Sequence, residues 1–259
     1  MILAGIDCGA KNTRTVIIEN GAVIGRGTAL TGFHQADAIR KSLQMALDQA
    51  RIDRCGVTCI AGTGSGAKAI SEADVNVNDI RAISAAAFYL LPSARTVIDV
   101  GAEESKVARI GPEGSVMDFT VNEKCAAGAG SFIESMARAL EEPLDTIGQL
   151  ALSSVNSVPM NAHCAIFAES EVIGLIHANI GKNDVSKAIH DALASRVVSM
   201  IRRIGVNSDV IMLGGVACNV GFVEALRREL GLERLYVPEF PEYGAALGAA
   251  ISAQGETNS

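Results

Sequence analysis

Tryptophan is missing from this 259-residue sequence, which has only three tyrosines and seven phenylalanines. Proteins that hold single-stranded nucleic acid stack its bases on aromatic side chains, and few such side chains are available here. The formal charge of −7 and the lack of any run of basic residues also disfavour contact with a phosphate backbone. We therefore expect no nucleic-acid partner.

Long apolar runs are missing as well, since no stretch of about 18 uncharged apolar residues occurs. The opening segment, residues 1–7, has no basic flank and reaches the carboxylate of Asp7 after six residues, unlike a secretory signal peptide. Six cysteines without an export signal suggest reduced thiols or metal ligands before disulfides. These features predict a cytoplasmic protein with no membrane partner.

The first third of the chain has the composition and periodicity of an α/β protein. Hydrophobic residues make up 49% of the sequence, and glycine contributes 26 residues. The apolar pattern predicts three strands joined by turns, then a helix and a fourth strand. This order is typical of the first half of an actin-like domain. The predicted strands cover residues 2–7, 15–18, 22–28 and 57–61, and the helix covers 36–50.

The same series starts again in the middle of the sequence. A strand over residues 96–101 ends in Asp99-Val-Gly101, as the first strand ends in Asp7-Cys-Gly9, and strands 106–110 and 116–121 follow. This repeat predicts an α/β fold of two actin-like (ribonuclease H-like) domains that face each other across a nucleotide cleft. We assign residues 1–92 to the first domain and 93–259 to the second.

The rest of the sequence predicts mainly helices. The clearest spans residues 184–204, where apolar residues recur every three or four positions. A helix over about 241–254 is rich in small residues, so it can approach another backbone closely and pack back on the first domain. The other predicted elements are helices 144–152 and 220–230, strands 209–213 and 235–237, and one helix after each of Cys125 and Cys164.

Three glycine-containing turns each follow a predicted strand: Asp7-Cys-Gly9, Asp99-Val-Gly101 and Leu213-Gly-Gly215. Glycine allows backbone N–H groups to approach phosphate oxygens because no Cβ stands between them. Carboxylates beside such turns can hold Mg²⁺ through its bound waters. One such turn is compatible with an ordinary loop, whereas three in this order indicate a nucleotide site. The sequence has no GxxxxGK[ST] motif.

Cys125 and Cys164 stand before predicted amphipathic helices. The partial positive charge of a helix N-terminus favours the thiolate, which is the form that binds metal. The pattern alone leaves ordinary packing of both thiols open, and also a zinc site shared by two subunits, with His163 as a further candidate ligand. We interpret the remaining cysteines as small apolar residues in cores or turns: Cys8, Cys55, Cys59 and Cys218.

A family resemblance favours metal binding by Cys125 and Cys164 over ordinary packing. The segments 5–9, 97–101 and 212–219 resemble the phosphate-1, phosphate-2 and adenosine motifs of the acetate kinase, sugar kinase, heat-shock protein and actin superfamily. The segments Asn122–Gly130 and Cys164–Val172 resemble the cluster-binding signatures of 2-hydroxyacyl-CoA dehydratase activators, also called activases or archerases. These activators are related to the ATP-binding subunits of benzoyl-CoA reductase.

The resemblance implies an ATP-dependent one-electron donor. A [4Fe–4S] cluster needs about four thiolates, so Cys125 and Cys164 of two subunits would hold one cluster shared across a homodimer. Reduced ferredoxin or flavodoxin would supply the electron, and a 2-hydroxyacyl-CoA dehydratase or related acyl-CoA reductase would accept it. ATP, ADP and Mg²⁺ are the other implied cofactors.

The resemblance also assigns the site residues. Asp7 and Asp99 would organise Mg²⁺, while Glu103 or Glu104 would orient the attacking water. The sequence departs from the family at Ala10, where Ser or Thr is usual, and at Glu103, which replaces an amide. The predicted nucleotide-binding residues are Gly9, Ala10, Lys11, Asn12, Thr13, Gly101, Ala102, Gly128, Gly130, Gly214, Gly215, Val216, Asn219 and Gly244.

Other functions remain compatible with the sequence. A small-molecule kinase of the same superfamily would transfer phosphate to a sugar hydroxyl, with no need for the two cysteines. The chain could instead be the ATP-binding subunit of a benzoyl-CoA reductase-type complex, or a non-enzymatic ATP-binding regulator.

Overall fold

The computed structural model describes residues 1–122, 130–156, 158–160 and 165–256. These residues form two β-sheets with helices packed against them. The strands are β1 (Ile2–Cys8), β2 (Asn12–Glu19), β3 (Ala22–Leu30), β4 (Cys59–Thr63), β5 (Val75–Asn76), β6 (Thr96–Val100), β7 (Ser105–Ile110), β8 (Val116–Asn122) and β9 (Val210–Leu213). The helices are α1 (Gln35–Ala50), α2 (Asp79–Leu90), α3 (Gly130–Ala139), α4 (Ile147–Leu152), α5 (Ala165–His177), α6 (Lys182–Ile204), α7 (Val220–Glu229) and α8 (Gly244–Glu256).

The two sheets share one topology. In the first sheet the strand order is β3-β2-β1-β4-β5, with β1, β2 and β3 antiparallel and β4 parallel to β1. In the second sheet the order is β8-β7-β6-β9, with β6, β7 and β8 antiparallel and β9 parallel to β6. Asp7 and Asp99 therefore occupy equivalent positions near the ends of β1 and β6. The predicted repeat and the predicted α/β class are confirmed.

The first sheet has helices on both faces. On one face, Ile39, Leu43 and Ala46 of α1 are buried against Ile6 and Ile17. On the other face lies α8, whose backbone approaches β1 so closely that a Cβ on Gly5 would stand 1.9 Å from the Ala246 carbonyl oxygen. The helix near the C-terminal end of the sequence therefore covers the sheet that the N-terminal residues form, although the domain boundary at 92/93 stays a prediction.

The second sheet is covered by α3 and α6, whose apolar faces meet in one cluster. Because apolar residues recur at helical spacing along both helices, each buries a continuous stripe. In α3 and just after it, Phe132, Ile133, Met136, Ala137 and Leu140 are buried. The predicted stripe of α6 is buried at Val185, Ile189, Leu193, Val197 and Met200, and partly buried at Ile204.

Several predicted elements differ from the observed ones. Strand β4 begins at Cys59 and not at residue 57, and α4 begins at Ile147 and not at 144. The predicted strand 235–237 is only a bridge between Tyr236 and Ile211. The sequence does not predict helix α2, because most of its buried residues are small and give a weak periodic signal. None of the helices in the described ranges is long and apolar enough to cross a membrane.

Helix α5 is apolar, as predicted, but much of its apolar surface is exposed in the single chain. Ala168 and Val172 are buried, whereas Phe167 is 72% exposed and Ile173 and Ile176 are also exposed. Apolar periodicity indicates a helix correctly here, but it does not reveal whether the apolar face meets the core of the same chain.

Candidate functional site

A cavity of about 650 Å³ lies between the two sheets, and residues from both sheets line it. This volume is within the range of pockets that bind cofactors and other small ligands. Its walls include all three glycine turns that the sequence singles out, and Asp7 and Asp99 are among its lining residues. The predicted site residues along its wall are Asp7, Gly9, Ala10, Lys11, Asn12, Asp99, Gly101, Ala102, Glu103, Glu104, Gly130, Gly214, Gly215, Val216 and Asn219.

Two predicted nucleotide-binding residues do not line the cavity. The buried hydroxyl of Thr13 lies 3.0 Å from that of Thr31, behind the first turn. Gly244 begins α8, where a Cβ would stand 2.9 Å from a methyl carbon of Leu213. Gly128 and the predicted cluster ligands Cys125 and Cys164 lie outside the described residues.

The first turn, after β1, is held by hydrogen bonds on its outer side. The Gly9 amide donates to the Asn12 carbonyl (3.2 Å), and the hydroxyl of Thr31 donates to the Gly9 carbonyl (2.8 Å). The Thr31 amide also donates to the Lys11 carbonyl (2.9 Å). These bonds fix the turn while the side chain of Lys11 remains at the cavity wall.

The second turn, after β6, contacts the start of α3. The Gly101 amide donates to the Glu104 carbonyl (2.9 Å), which closes the turn. The amides of Gly130 and Ser131 donate to the carbonyls of Gly101 and Ala102, at 2.9 and 2.8 Å. The first amides of a helix have no partner inside the helix, so here the second turn satisfies two of them and positions α3.

The third turn, after β9, requires glycine at one position. Gly214 has a φ of +88°, in the left-handed region that other residues rarely adopt, and a Cβ there would stand 2.4 Å from the Val100 carbonyl oxygen. Asn219 follows and caps α7 by accepting a hydrogen bond from the Phe222 amide (3.1 Å). The turn therefore lies against β6, beside the second turn.

Two basic side chains face the aspartates, and sequence reasoning missed both. Arg14 lies opposite Asp7 in the register of β1 and β2, and Lys106 lies opposite Asp99 in β6 and β7. Directly opposed residues of an antiparallel pair point to the same face of the sheet. Each basic residue follows its aspartate by seven positions, so extending the internal repeat along the sequence would have found them.

Lys106 is the centre of a charge network that joins the two sheets. Its Nζ lies 2.7 Å from Asp79 Oδ2 and 2.7 Å from Glu104 Oε2. Asp79, at the start of α2, also accepts hydrogen bonds from the Thr63 hydroxyl (2.9 Å) and the Gly64 amide (2.8 Å). Sequence reasoning missed Asp79 because no glycine turn or strand end accompanies it.

Burial and charge pairing together set the protonation of this network. Burial raises the pKa of Asp7 to about 7 and that of Asp99 above its usual value, although Lys106 opposes both shifts. Burial acts to raise the pKa of Asp79, but the ammonium group of Lys106 and the hydrogen bonds from Gly64 and Thr63 together lower it. The facing carboxylates raise the pKa of Lys106, against the effect of burial, so it stays charged. A divalent cation at Asp7 and Asp99 would relieve their repulsion.

The cysteine, histidine and acidic side chains of the described ranges form no ready-made metal site. Within these ranges, no group of three or more of them is arranged to hold a metal ion directly. Cys8 and Cys59 are buried, while Cys55 and Cys218 lie in exposed turns. The interpretation of these four cysteines as core or turn residues therefore agrees with their positions.

One ion pair crosses the cavity to α3. Lys11 Nζ, in the first turn, lies 2.5 Å from Glu134 Oε1, in α3. Both residues line the cavity. Helix α3 is thus linked to the first turn through a side chain and to the second turn through its backbone.

Comparison with known proteins places this geometry in a family. Residues 4–253 match the model of the BadF/BadG/BcrA/BcrD ATPase family. The chain is 33% identical to the 2-hydroxyisocaproyl-CoA dehydratase activator of Clostridioides difficile over 256 residues, which cover 99% of this chain and 96% of that protein.

Solved structures of such activators have the same fold. Component A of the (R)-2-hydroxyglutaryl-CoA dehydratase of Acidaminococcus fermentans superposes with a TM-score of 0.96 at 30% identity, over the whole of both chains. The 2-hydroxyisocaproyl-CoA dehydratase activator of Clostridium difficile with bound ADPNP superposes with a TM-score of 0.94 at 33% identity, over 100% of this chain and 96% of that one. The predicted actin-like fold is confirmed.

Proposed function

Because the chain belongs to the BadF/BadG/BcrA/BcrD ATPase family, we propose that it is an ATP-dependent one-electron donor that activates a 2-hydroxyacyl-CoA dehydratase or a related acyl-CoA reductase. The observation that carries the proposal is the convergence of three glycine turns on Asp7 and Asp99 in one cavity between the sheets. Relatives named as dehydratase activators, similar over nearly their whole length, support the choice of acceptor.

ATP would occupy the cavity between the sheets. Backbone amides of the first and second turns would donate to its phosphates, because glycines there allow close approach. The third turn and Asn219 would contact the nucleoside, in keeping with the resemblance of this segment to an adenosine motif. The structure of a relative with bound ADPNP supports a nucleotide in this fold.

Magnesium fits the donor set on the floor of the cavity. Asp7 and Asp99 offer carboxylate oxygens, and Mg²⁺ binds through few protein ligands while it keeps several waters. When bound, the ion would neutralise charge on the phosphates. Glu104 is engaged by Lys106 (2.7 Å), whereas Glu103 is exposed at the cavity wall. We therefore assign the positioning of the attacking water to Glu103.

Cys125 and Cys164 would hold the [4Fe–4S] cluster together with the same residues of a second subunit. A bound cluster would supply one-electron redox chemistry. The exposed apolar side chains of α5, which follows Cys164 in the sequence, support a subunit interface at this helix, because a helix that is apolar on most sides is normally buried. Ferredoxin or flavodoxin would be the donor in the cytoplasm.

Anaerobic purification tests the cluster directly. We expect a brown homodimer with about four iron and four sulfide ions per dimer, and loss of both in the Cys125→Ser and Cys164→Ser variants. Cys55→Ser and Cys218→Ser are matched controls that should keep the colour. A colourless, iron-free protein after reconstitution with iron and sulfide would contradict the proposal.

Turnover measurements separate this function from the kinase alternative. ADP formation by the reduced protein should be independent of added hexoses, and no sugar phosphate should form. Hexose-stimulated ADP release with matching sugar phosphate would instead identify a kinase.

A further inference from the structure

The ion pair between Lys11 and Glu134 lies at the wall of the cavity and connects two separate parts of the fold. It joins the first turn, which belongs to one sheet, to α3, which packs on the other. The two side chains are 42% and 23% exposed, so the pair is reached by solvent and by any ligand in the cavity. A pair in such a place contributes little stability, and its partners can be exchanged.

Lys11 is one of the cations that line the cavity, and it belongs to the first turn of the predicted phosphate site. The preceding residue, Ala10, has no hydroxyl group with which to contact phosphate. An ammonium group binds phosphate oxygens through short, charge-assisted hydrogen bonds. The triphosphate of ATP carries more negative charge than one carboxylate, so it would attract Lys11 away from Glu134.

Glu134 would respond to the same event. Its carboxylate lines the cavity, and once Lys11 has left it would face the negative phosphates without a counter-charge. Like charges at short range repel, which favours movement of this part of α3 away from the cavity. The start of the helix would remain attached to the second turn through the amides of Gly130 and Ser131.

We propose that Lys11 and Glu134 form a nucleotide-sensitive latch on α3: paired with each other when the cavity is empty, and parted when Lys11 turns to the phosphates of ATP. The inference rests on the proposed function because it requires ATP in the cavity. Lys11 acts as a phosphate-binding residue and Glu134 as a positioning residue, and together they make the orientation of α3 depend on the nucleotide. In the sequence, α3 begins five residues after Cys125.

For Glu134, the latch gives a prediction opposite to that for a member of a structural ion pair or for a direct nucleotide ligand. In the Glu134→Gln variant Lys11 is already released, so affinity for Mg²⁺ with a non-hydrolysable ATP analogue should rise about two- to fivefold. Lys11→Gln should lower that affinity by a similar factor, and Lys11→Arg should restore it. Isothermal titration calorimetry of the holoprotein measures these values.

Hydrogen exchange of residues 130–140 provides the second readout. In the wild type, the ATP analogue should increase exchange near Glu134, whereas in Glu134→Gln exchange should be high without nucleotide and change little on binding. Glu142→Gln is the matched control. It breaks the Lys182–Glu142 pair, which has similar exposure (52% and 21%) and whose residues do not line the cavity, and it should leave affinity and exchange as in the wild type.

The outcomes separate the two proposals. A wild-type protein that binds no nucleotide would overturn the proposed function, and the latch with it. Normal nucleotide binding, with a Glu134→Gln variant whose affinity is unchanged or lower and whose α3 exchange still responds to nucleotide, would overturn the latch alone.

Discussion

Lys106 is the residue on which the charge balance of the cavity depends most. Its ammonium group lies 2.7 Å from carboxylate oxygens of both Asp79 and Glu104, and its side chain is only 14% exposed. Removing one partner of a largely buried ion pair leaves the other charge uncompensated. We expect Lys106→Met to lower the free energy of unfolding by about 2–4 kcal/mol, measured by urea denaturation at pH 7.

Magnesium provides the diagnostic comparison for this variant. Without the lysine, its carboxylate partners remain in the cavity beside Asp7 and Asp99, so Mg²⁺ alone should stabilise Lys106→Met more than the wild type. Lys182→Met, which breaks an exposed ion pair with Glu142, is the control and should change stability by less than about 1 kcal/mol. Equal losses of stability in Lys106→Met and Lys182→Met would show that the Lys106 network contributes no more stability than an exposed ion pair.

We expect the carboxyl group of Asp7 to release a proton when the nucleotide binds. Burial raises its pKa to about 7 in the folded chain, against about 4 in an unfolded one. The stability that this group contributes is therefore present below about pH 4 and is lost as the pH rises through about 7. Mg²⁺ requires the carboxylate, so binding of its ATP complex should displace the proton at pH 6 and much less at pH 8.

Calorimetry in buffers of different ionisation enthalpy counts this proton. The number released at pH 6 should be larger for the wild type than for Asp7→Asn, with the difference approaching one. Identical proton release in both proteins would exclude Asp7 as the titrating ligand.

The positions of Asp7 and Asp99 at the cavity could be predicted from single residues of the sequence, but the charged residues that face them were missed. Asp7 and Asp99 stand beside glycines at strand ends, a local pattern that is visible in the sequence. Lys106 and Arg14 act through strand register, which is visible only when the two repeats are aligned, and Asp79 reaches the cavity through tertiary packing of α2. The roles assigned to Asp7, Asp99, Glu103, Glu104 and the nucleotide-binding residues remain predictions.

At the scale of elements, a helix can be predicted from the sequence when its buried face repeats large apolar residues over several turns. The stripe of α6 repeats over 23 residues, and the sequence predicts its buried positions. Helix α2 buries Ile80 and Ile83 beside four small residues, so its periodic signal is weak. The small residues are Ala82, Ser84, Ala86 and Ala87. Strand β5 has only two residues, too few to show any alternation.

The close approach of α8 to α2 gives a prediction for one glycine. A Cβ on Gly248 would stand 1.7 Å from the Ala82 carbonyl oxygen, and only a shift of one helix would relieve that overlap. We expect Gly248→Ala to lower the free energy of unfolding by about 1–3 kcal/mol, measured by urea denaturation with an unchanged m-value.

Gly56→Ala is the control for this substitution. A Cβ on Gly56 would meet no atom within 4 Å, and the residue has no positive φ, so its replacement should be neutral or slightly stabilising. A Gly248→Ala variant as stable as Gly56→Ala would mean that α8 does not pack against α2 at this distance.

At the scale of the whole molecule, the cavity walls come from both sheets, so a nucleotide should stabilise the protein as one unit. At a ligand concentration about 100 times the dissociation constant, Mg²⁺ with ATP should add about 2.7 kcal/mol to the free energy of unfolding. Thermal unfolding should show a single transition that moves to higher temperature. In Asp99→Asn, which removes a proposed Mg²⁺ ligand, the shift should be much smaller at the same nucleotide concentration.

Two separate transitions, only one of them sensitive to nucleotide, would contradict this expectation. That result would mean that the ligand binds to one sheet and its helices alone, without contact across the cavity.

The return of α8 to the first sheet has a consequence during synthesis. Leu3 and Val16 are buried beneath Ala246, Leu247 and Ala250, which the ribosome adds only after every strand of the second sheet. Until then one apolar face of the nascent N-terminal half has no cover, and holdase chaperones bind such surfaces. The half that is made first can be completed only after α8 has been synthesised.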